Sequence, residues 1–167
     1  MANLRFGYIV ASSLFYVMYA VPKANYMVKH QDKYTDRQRF DFACDIMNHM
    51  RKRGRTTTEV YGISNIPKEE GAVYYSNHQG KYDALGILLA LDSPCGALWE
   101  RKQATRFLSK QVCNLIGGVP IDLTDMRDKA KAIATVTDYL KNDKNMLIFP
   151  EGGYDNNGNE LQEFQSG

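Results

Sequence analysis

The run Ser76-Asn77-His78-Gln79-Gly80-Lys81-Tyr82-Asp83 places an imidazole and a carboxylate five positions apart. A neutral histidine takes a proton from an alcohol when a partner fixes its tautomer and stabilises the imidazolium that forms. With His78 at the end of a strand and Asp83 in the first turn of the next helix, the carboxylate reaches back to one ring nitrogen and leaves the other for substrate. This is the base-and-orienter pair of a serine protease, with the hydroxyl coming from the substrate. Farther along, Leu147-Ile148-Phe149-Pro150-Glu151-Gly152-Gly153 reads as a buried strand that stops at a proline and delivers one glutamate to a glycine-rich loop. Gly80, Gly152 and Gly153 let backbone approach a ligand, with amides suited to a tetrahedral oxyanion; turn geometry accounts for them equally well. Two such devices point to an active site rather than a binding patch.

From Glu59 onward short apolar runs alternate with helical patterns, as an α/β sheet with crossover helices requires. Strands are expected at 59–61, 72–76, 97–100, 119–121 and 146–149, and helices at 82–91, 102–116 and 126–141. The last helix has an Asp125 cap and Ala130, Ile133, Ala134, Thr137 and Leu140 on one face. Upstream, Thr35 and Gln38 have capping-box spacing, and Phe40, Ala43, Ile46, Met47 and Met50 repeat with helical period over 36–53. Arg51, Lys52, Arg53 and, after Gly54, Arg55 crowd the end of that helix, where cations complement its dipole.

From Phe6 to Val21 the chain carries no charge and ends against Pro22. As a helix these sixteen residues rise about 24 Å, short of the roughly 30 Å hydrocarbon core, so a transmembrane span is strained. Met18 two residues before Ala20 makes a poor signal-peptide cleavage site. A helix of the domain core and a helix dipping into one leaflet are both open. Tyr8, Tyr16 and Tyr19, flanked by Arg5 and Lys23, favour the leaflet. The basic cluster ending at Arg55 would then rest on anionic headgroups.

A chain of 167 residues has room for one domain with a real core. Its 44% hydrophobic and 24% charged content is that of an ordered globular protein. A net charge of +2, with no interleaving of cations and exposed aromatics, sets nucleic acid aside. Cys44, Cys95 and Cys113 form no C-x-x-C pair and no metal-ligand spacing, and read as reduced thiols in a cytosolic compartment. No ligand cluster accompanies His78, so no metal is expected; a His/Asp metal hydrolase is the weaker alternative. His30 and His49 lie in polar helical surroundings and are expected at the surface.

With Asn77 before the histidine and Phe149-Pro150-Glu151-Gly152 downstream, the chain resembles the 1-acylglycerol-3-phosphate acyltransferases, the lysophosphatidic acid acyltransferases. The likeness spans about Tyr61 to Gly167 and opens with Gly62-Ile63-Ser64-Asn65-Ile66-Pro67. Asn77, His78 and Asp83 fall on the family's N-H-x4-D motif, and the block at Glu151 falls on its acceptor-binding motif. Gly117-Gly118-Val119-Pro120-Ile121-Asp122 looks like its second motif. The resemblance implies that His78 deprotonates the free hydroxyl of a lysolipid, which attacks the thioester of an acyl-CoA or acyl-carrier protein. It assigns Glu151 to hydrogen bonding of acceptor hydroxyls and requires no cofactor beyond the thioester co-substrate.

Leu123, Tyr154 and Gln165 depart from this pattern, because many members carry basic residues at these three places. Arg127 is the expected compensation. A cation in the first turn of a helix opposes the macrodipole unless an anion is near, and a bound phosphate would remove the conflict. A solvated arginine beside Asp125 and Asp128 is the other reading.

The expected molecule is α/β, a mixed sheet flanked by helices over residues 57–167. A two-helix membrane-associating segment over 1–56 precedes it, on the cytoplasmic face of a membrane. The family normally continues past the position of Gly167, so the α/β domain is expected to be truncated at its C-terminal end. The expected site comprises His78 and Asp83 as catalytic pair and Asn77, Glu151, Gly152, Gly153 and Arg127 as substrate contacts. Its partners are membrane lipid, a lysophospholipid acceptor and an acyl thioester donor. A lipid-binding or scaffold protein that keeps the fold without turnover is the rival reading.

Overall fold

Local chemistry sets most of the elements. In the computed structural model, which describes residues 2–67, 71–154 and 160–165 with side chains from Gly7 onward, the capping box forms as the sequence requires. The Gln38 amide donates to the Thr35 hydroxyl at 3.2 Å and the Thr35 amide to the Gln38 side chain at 3.0 Å, which starts helix α3 (Asp36–Arg53). The apolar stretch before it is two helices, α1 (Ala2–Ser12) and α2 (Leu14–Lys29), so the expected stop at Pro22 is corrected. Pro22 lies inside α2 on its exposed side, while Val17, Ala20, Ala24 and Met27 bury the opposite face and hold the helix through the missing amide. The break falls at Ser13, which is buried and 3.1 Å from Nε2 of His49.

That contact also corrects His49. Its ring stacks on Tyr16 at 3.8 Å and 2°, and burial, then Arg53 and Lys52, holds its pKa below the usual imidazole range. His30 is likewise half-buried, against the Tyr26 ring at 4.3 Å.

The remaining elements alternate: β1 (Val73–Tyr75), α4 (Asp83–Ala90), β2 (Cys95–Glu100), α5 (Arg101–Ala104), α6 (Ser109–Leu115), β3 (Val119–Ile121), α7 (Met126–Lys141) and β4 (Asn145–Ile148). They form a four-stranded sheet in the order β1-β4-β2-β3. Tyr74 and Ala97 both pair with Leu147, and Trp99 with Pro120. Every pairing is parallel, which corrects the expected mixed sheet among the described residues: each strand reaches the next through a helical crossover. The C-terminal strand ends therefore share one edge, and the loops after β1 and β4 meet there.

Three expectations differ in detail. Residues 59–61 form no strand, and a single 3-10 turn at Ile63–Asn65 leads toward the sheet. The helix expected over 102–116 is split, because the buried Leu108 takes a left-handed φ of 66° and turns the chain between α5 and α6. In α7 the buried residues are Ala132 and Val136, with Tyr139 and Leu140 partly covered, while Ala130, Ile133, Ala134 and Thr137 face out. Both arcs have helical period; the strand surface of Val119, Ile121 and Met146 selects between them.

One hydrophobic core joins Ala20, Ala24 and Met27 of α2 and Phe40, Ala43 and Ile46 of α3 to Leu88, Ala97, Leu115 and Leu147. Residues on both sides of the 56/57 boundary thus pack together. Leu147, fully buried at the centre of β4, links this core to the strand that carries Phe149 and Glu151. Leu147→Ala is expected to lower the free energy of unfolding by about 2–5 kcal/mol in chemical denaturation, and a loss under about 1 kcal/mol would contradict this packing.

Candidate active site

Because β1 and β4 are neighbours, two loops far apart in sequence close on each other. Beyond Tyr75 the Ser76 amide still bonds the Ile148 carbonyl at 3.1 Å, and the chain then turns through Asn77 and His78 into α4. Asp83 is the first residue of α4, where a negative charge suits the helix dipole. Its Oδ2 accepts from three donors: the Gln79 amide at 2.5 Å, the Gly80 amide at 2.8 Å and Nδ1 of His78 at 3.0 Å. An ionised carboxylate has no proton to give, so Nδ1 carries the hydrogen and the neutral ring keeps its lone pair on Nε2. Phe149 stacks on the imidazole at 4.3 Å and 26°, and Tyr154 meets it edge-on at 4.7 Å and 70°. The His78 side chain is still 18% exposed. The arrangement can hold a base and present one lone pair to a substrate hydroxyl.

Glu151 follows Pro150 and is only 3% exposed. Its Oε1 accepts from the His78 amide at 2.6 Å and its Oε2 from the Gln162 amide at 2.9 Å. Those two hydrogen bonds, from Gln162 and then His78, hold its carboxyl below the usual range. The Gln165 amide adds a bond to the Pro150 carbonyl at 2.8 Å, so residues 160–165 lie along the loop after β4. Gly152 has φ 70°, the left-handed region that favours glycine, and a Cβ there would stand 2.9 Å from Cγ of Gln165 and 3.1 Å from Cδ1 of Leu123.

The structure brings His78, Asp83, Glu151 and Gly152 together. Asn77 is exposed beside them, its carbonyl accepting from the Ser76 hydroxyl at 3.1 Å. Two of the three amides expected to serve an oxyanion are already engaged: Gly80 with Asp83, and Gly152 with the Phe149 carbonyl at 3.0 Å. Gly153 has open space around it, with nothing within 4 Å of an added Cβ.

Arg127 is exposed at the start of α7, and among the described residues its guanidinium makes no ion pair. The helix start expected to receive a phosphate is capped by Asp125, which accepts from the Arg127 amide at 2.8 Å. Asp128 holds Arg101 at 2.6 Å and accepts from the Asp122 amide at 2.6 Å. Leu123 and Gln165 flank Gly152, and Tyr154 touches His78, so the three positions lacking a cation converge on the site. Sequence reasoning missed Gln162, whose contribution is a backbone amide with no signature in residue type. Among the described residues no group of three His, Cys, Asp or Glu side chains is placed to hold a metal ion.

Comparison with known protein families matches residues 57–167 to the family described as Acyltransferase. The chain belongs to that family. Among curated proteins, the acyltransferase chain is 30% identical over 104 residues to the human 1-acyl-sn-glycerol-3-phosphate acyltransferase alpha, covering 62% of this chain and 37% of that protein. The sheep protein of the same name is also 30% identical over 104 residues, with 36% of its length covered. The chain thus spans little more than a third of the length of these relatives. No solved structure matches.

The depressed Glu151 carboxyl fixes the sign of a pH effect. Its stabilising contribution is present above the ordinary glutamate pKa of about 4.3 and is lost as pH falls through the lower folded value. In thermal melts the wild type is expected to lose stability on acidification below that point more steeply than Glu151→Gln. Parallel pH profiles would show that the carboxylate is not held this way.

Proposed function

We propose that the chain is the catalytic part of an O-acyltransferase that moves a fatty acyl group from a thioester, acyl-CoA or acyl-carrier protein, to the free hydroxyl of a lysophospholipid. The acceptor is 1-acylglycerol-3-phosphate and the product phosphatidic acid. The observation that carries this reading is the 3.0 Å contact between Nδ1 of His78 and Asp83, within a chain of the acyltransferase family. Nε2 takes the hydroxyl proton as the oxygen attacks the thioester carbonyl. The tetrahedral oxyanion collapses, the carbon–sulfur bond breaks, and the imidazolium returns the proton to the departing thiolate. Asp83 stabilises the imidazolium between these steps. The exposed Asn77, next to the histidine in sequence, and the open Gly153 backbone are the contacts proposed for the acceptor or the oxyanion, and Arg127 is the cation proposed for its phosphate.

The convergence of Leu123, Tyr154 and Gln165 on the site, with Asp125 on the α7 amides, favours a second reading in which the acceptor is a different lysolipid without a phosphate monoester. Vesicle assays comparing lysophosphatidic acid with zwitterionic and neutral lysolipids separate the two. His78→Ala is expected to lower turnover by about 10²–10⁴-fold with the preferred acceptor. No His78-dependent product from any acceptor would move the reading to a lipid-binding protein without turnover. An unchanged KM for lysophosphatidic acid in Arg127→Ala would remove Arg127 from acceptor binding.

The acceptor is a membrane lipid, and the proposal places the enzyme at a membrane surface, on the cytoplasmic face. No described helix is long and apolar enough to cross a membrane. The outer side of α1 and α2 exposes Tyr8, Leu14, Phe15, Met18, Tyr19 and Tyr26, with Phe15 87% exposed. A cavity of about 290 Å³ lined by Tyr8, Ile9, Arg53, Gly54 and Arg55 adds cations at one end of it. Such a face suits an interfacial helix on anionic lipid. In flotation with anionic vesicles, Phe15→Asp combined with Met18→Asp is expected to release the protein, whereas unchanged flotation would exclude this face as the lipid contact.

A further inference from the structure

We propose that Glu151 is a positioning residue that clamps the backbone of His78, rather than a contact for the acceptor. The inference rests on the acyltransferase reading for its kinetic consequence and on geometry alone for the clamp. Both carboxylate oxygens are engaged, Oε1 by the His78 amide at 2.6 Å and Oε2 by the Gln162 amide at 2.9 Å, and the residue is 3% exposed. With one charge-assisted bond on each oxygen and 3% exposure, the carboxylate leaves an acceptor hydroxyl little access, whereas its two backbone partners are already in place.

The clamp acts where the Asp83 contacts do not reach. Asp83 fixes the ring of His78 and the amides of Gln79 and Gly80, all within its own turn. Glu151 ties the His78 amide itself to the loop that follows β4, across 73 positions of sequence, just beyond the Ser76–Ile148 backbone bond and on the same residue that Phe149 stacks against. Through Oε2 the same side chain anchors residues 160–165, whose Gln165 also bonds Pro150 and covers Gly152. The imidazole, the Phe149 ring stacked on it and the segment at Gln162 are thereby held in one frame. A carboxylate is needed because it alone offers acceptors on both oxygens. Glu151→Gln turns an N–H₂ group toward one of two N–H donors and opens that side of the clamp.

The test uses the full-length protein with lysolipid vesicles. Displacing a base by a fraction of an ångström to about 1 Å costs up to about 10²-fold, so Glu151→Gln is expected to lower kcat by about 10–10²-fold. The KM for the lysolipid should stay within about twofold, because no substrate contact is lost. Hydrogen exchange should quicken together in 76–80 and 160–165 of this variant and stay unchanged in β1 and β4. A raised KM with kcat retained, or faster exchange confined to one segment, would overturn the proposal. If the variant does not fold, the wild-type protein decides: the ¹H shifts of the His78 and Gln162 amides should titrate together below the usual glutamate range. Independent or absent titration overturns the clamp. A wild type with no acyl transfer would defeat the functional reading while the exchange and titration measurements still decide the clamp.

Discussion

Three hydrogen bonds onto a single carboxylate oxygen are the constraint on which the site depends. Oδ2 of Asp83 receives Nδ1 of His78 and the amides of Gln79 and Gly80, so one side chain folds the turn and sets the tautomer of the histidine within it. Placing this carboxylate at the first position of α4 adds the helix dipole to the same end. The rest of the structure brings partners to that turn. A parallel sheet with β4 beside β1 carries Phe149 under the imidazole and Glu151 under its backbone, and the buried Leu147 keeps β4 in register.

With His78 as the proposed base, the surroundings of the pair decide what it can act on. Carboxylates at Asp122, Asp125 and Asp128 gather at the start of α7, and Asp128 holds Arg101. Neutral side chains, Leu123, Gln165 and Tyr154, line the approach to Gly152 and His78. Under the proposed acyltransferase reading, an acceptor's headgroup would meet these neutral side chains, and specificity would rest on them rather than on the His78–Asp83 pair. The helical segment ahead of the sheet has a comparable division of labour. One face of α2 completes the core with Ala20, Ala24 and Met27, while Phe15, Met18 and Tyr19 on the other remain uncovered.

What was legible in the sequence is what short-range chemistry decides. The Thr35–Gln38 capping box, the Asp125 cap of α7 and the His78–Asp83 reach each involve residues within one turn, and spacing reports them. What was not legible depends on surfaces far away in the chain. Pro22 stays helical because the opposite face of α2 is buried, and α7 turns Ala132 and Val136 inward because of the strands beneath it. Leu108 takes a positive φ that no local signal requires, and His49 is partly buried where it stacks on Tyr16. Glu151 was found by its motif, yet its two partners are backbone amides that residue types do not reveal.

The most direct test of the central claim is the ¹⁵N spectrum of His78 in the wild-type protein at neutral pH and above. The account predicts a protonated Nδ1 and an unprotonated Nε2, with that preference lost in Asp83→Asn. A ring protonated at Nε2, or a tautomer indifferent to Asp83, would contradict the assignment of His78 as a base oriented by Asp83.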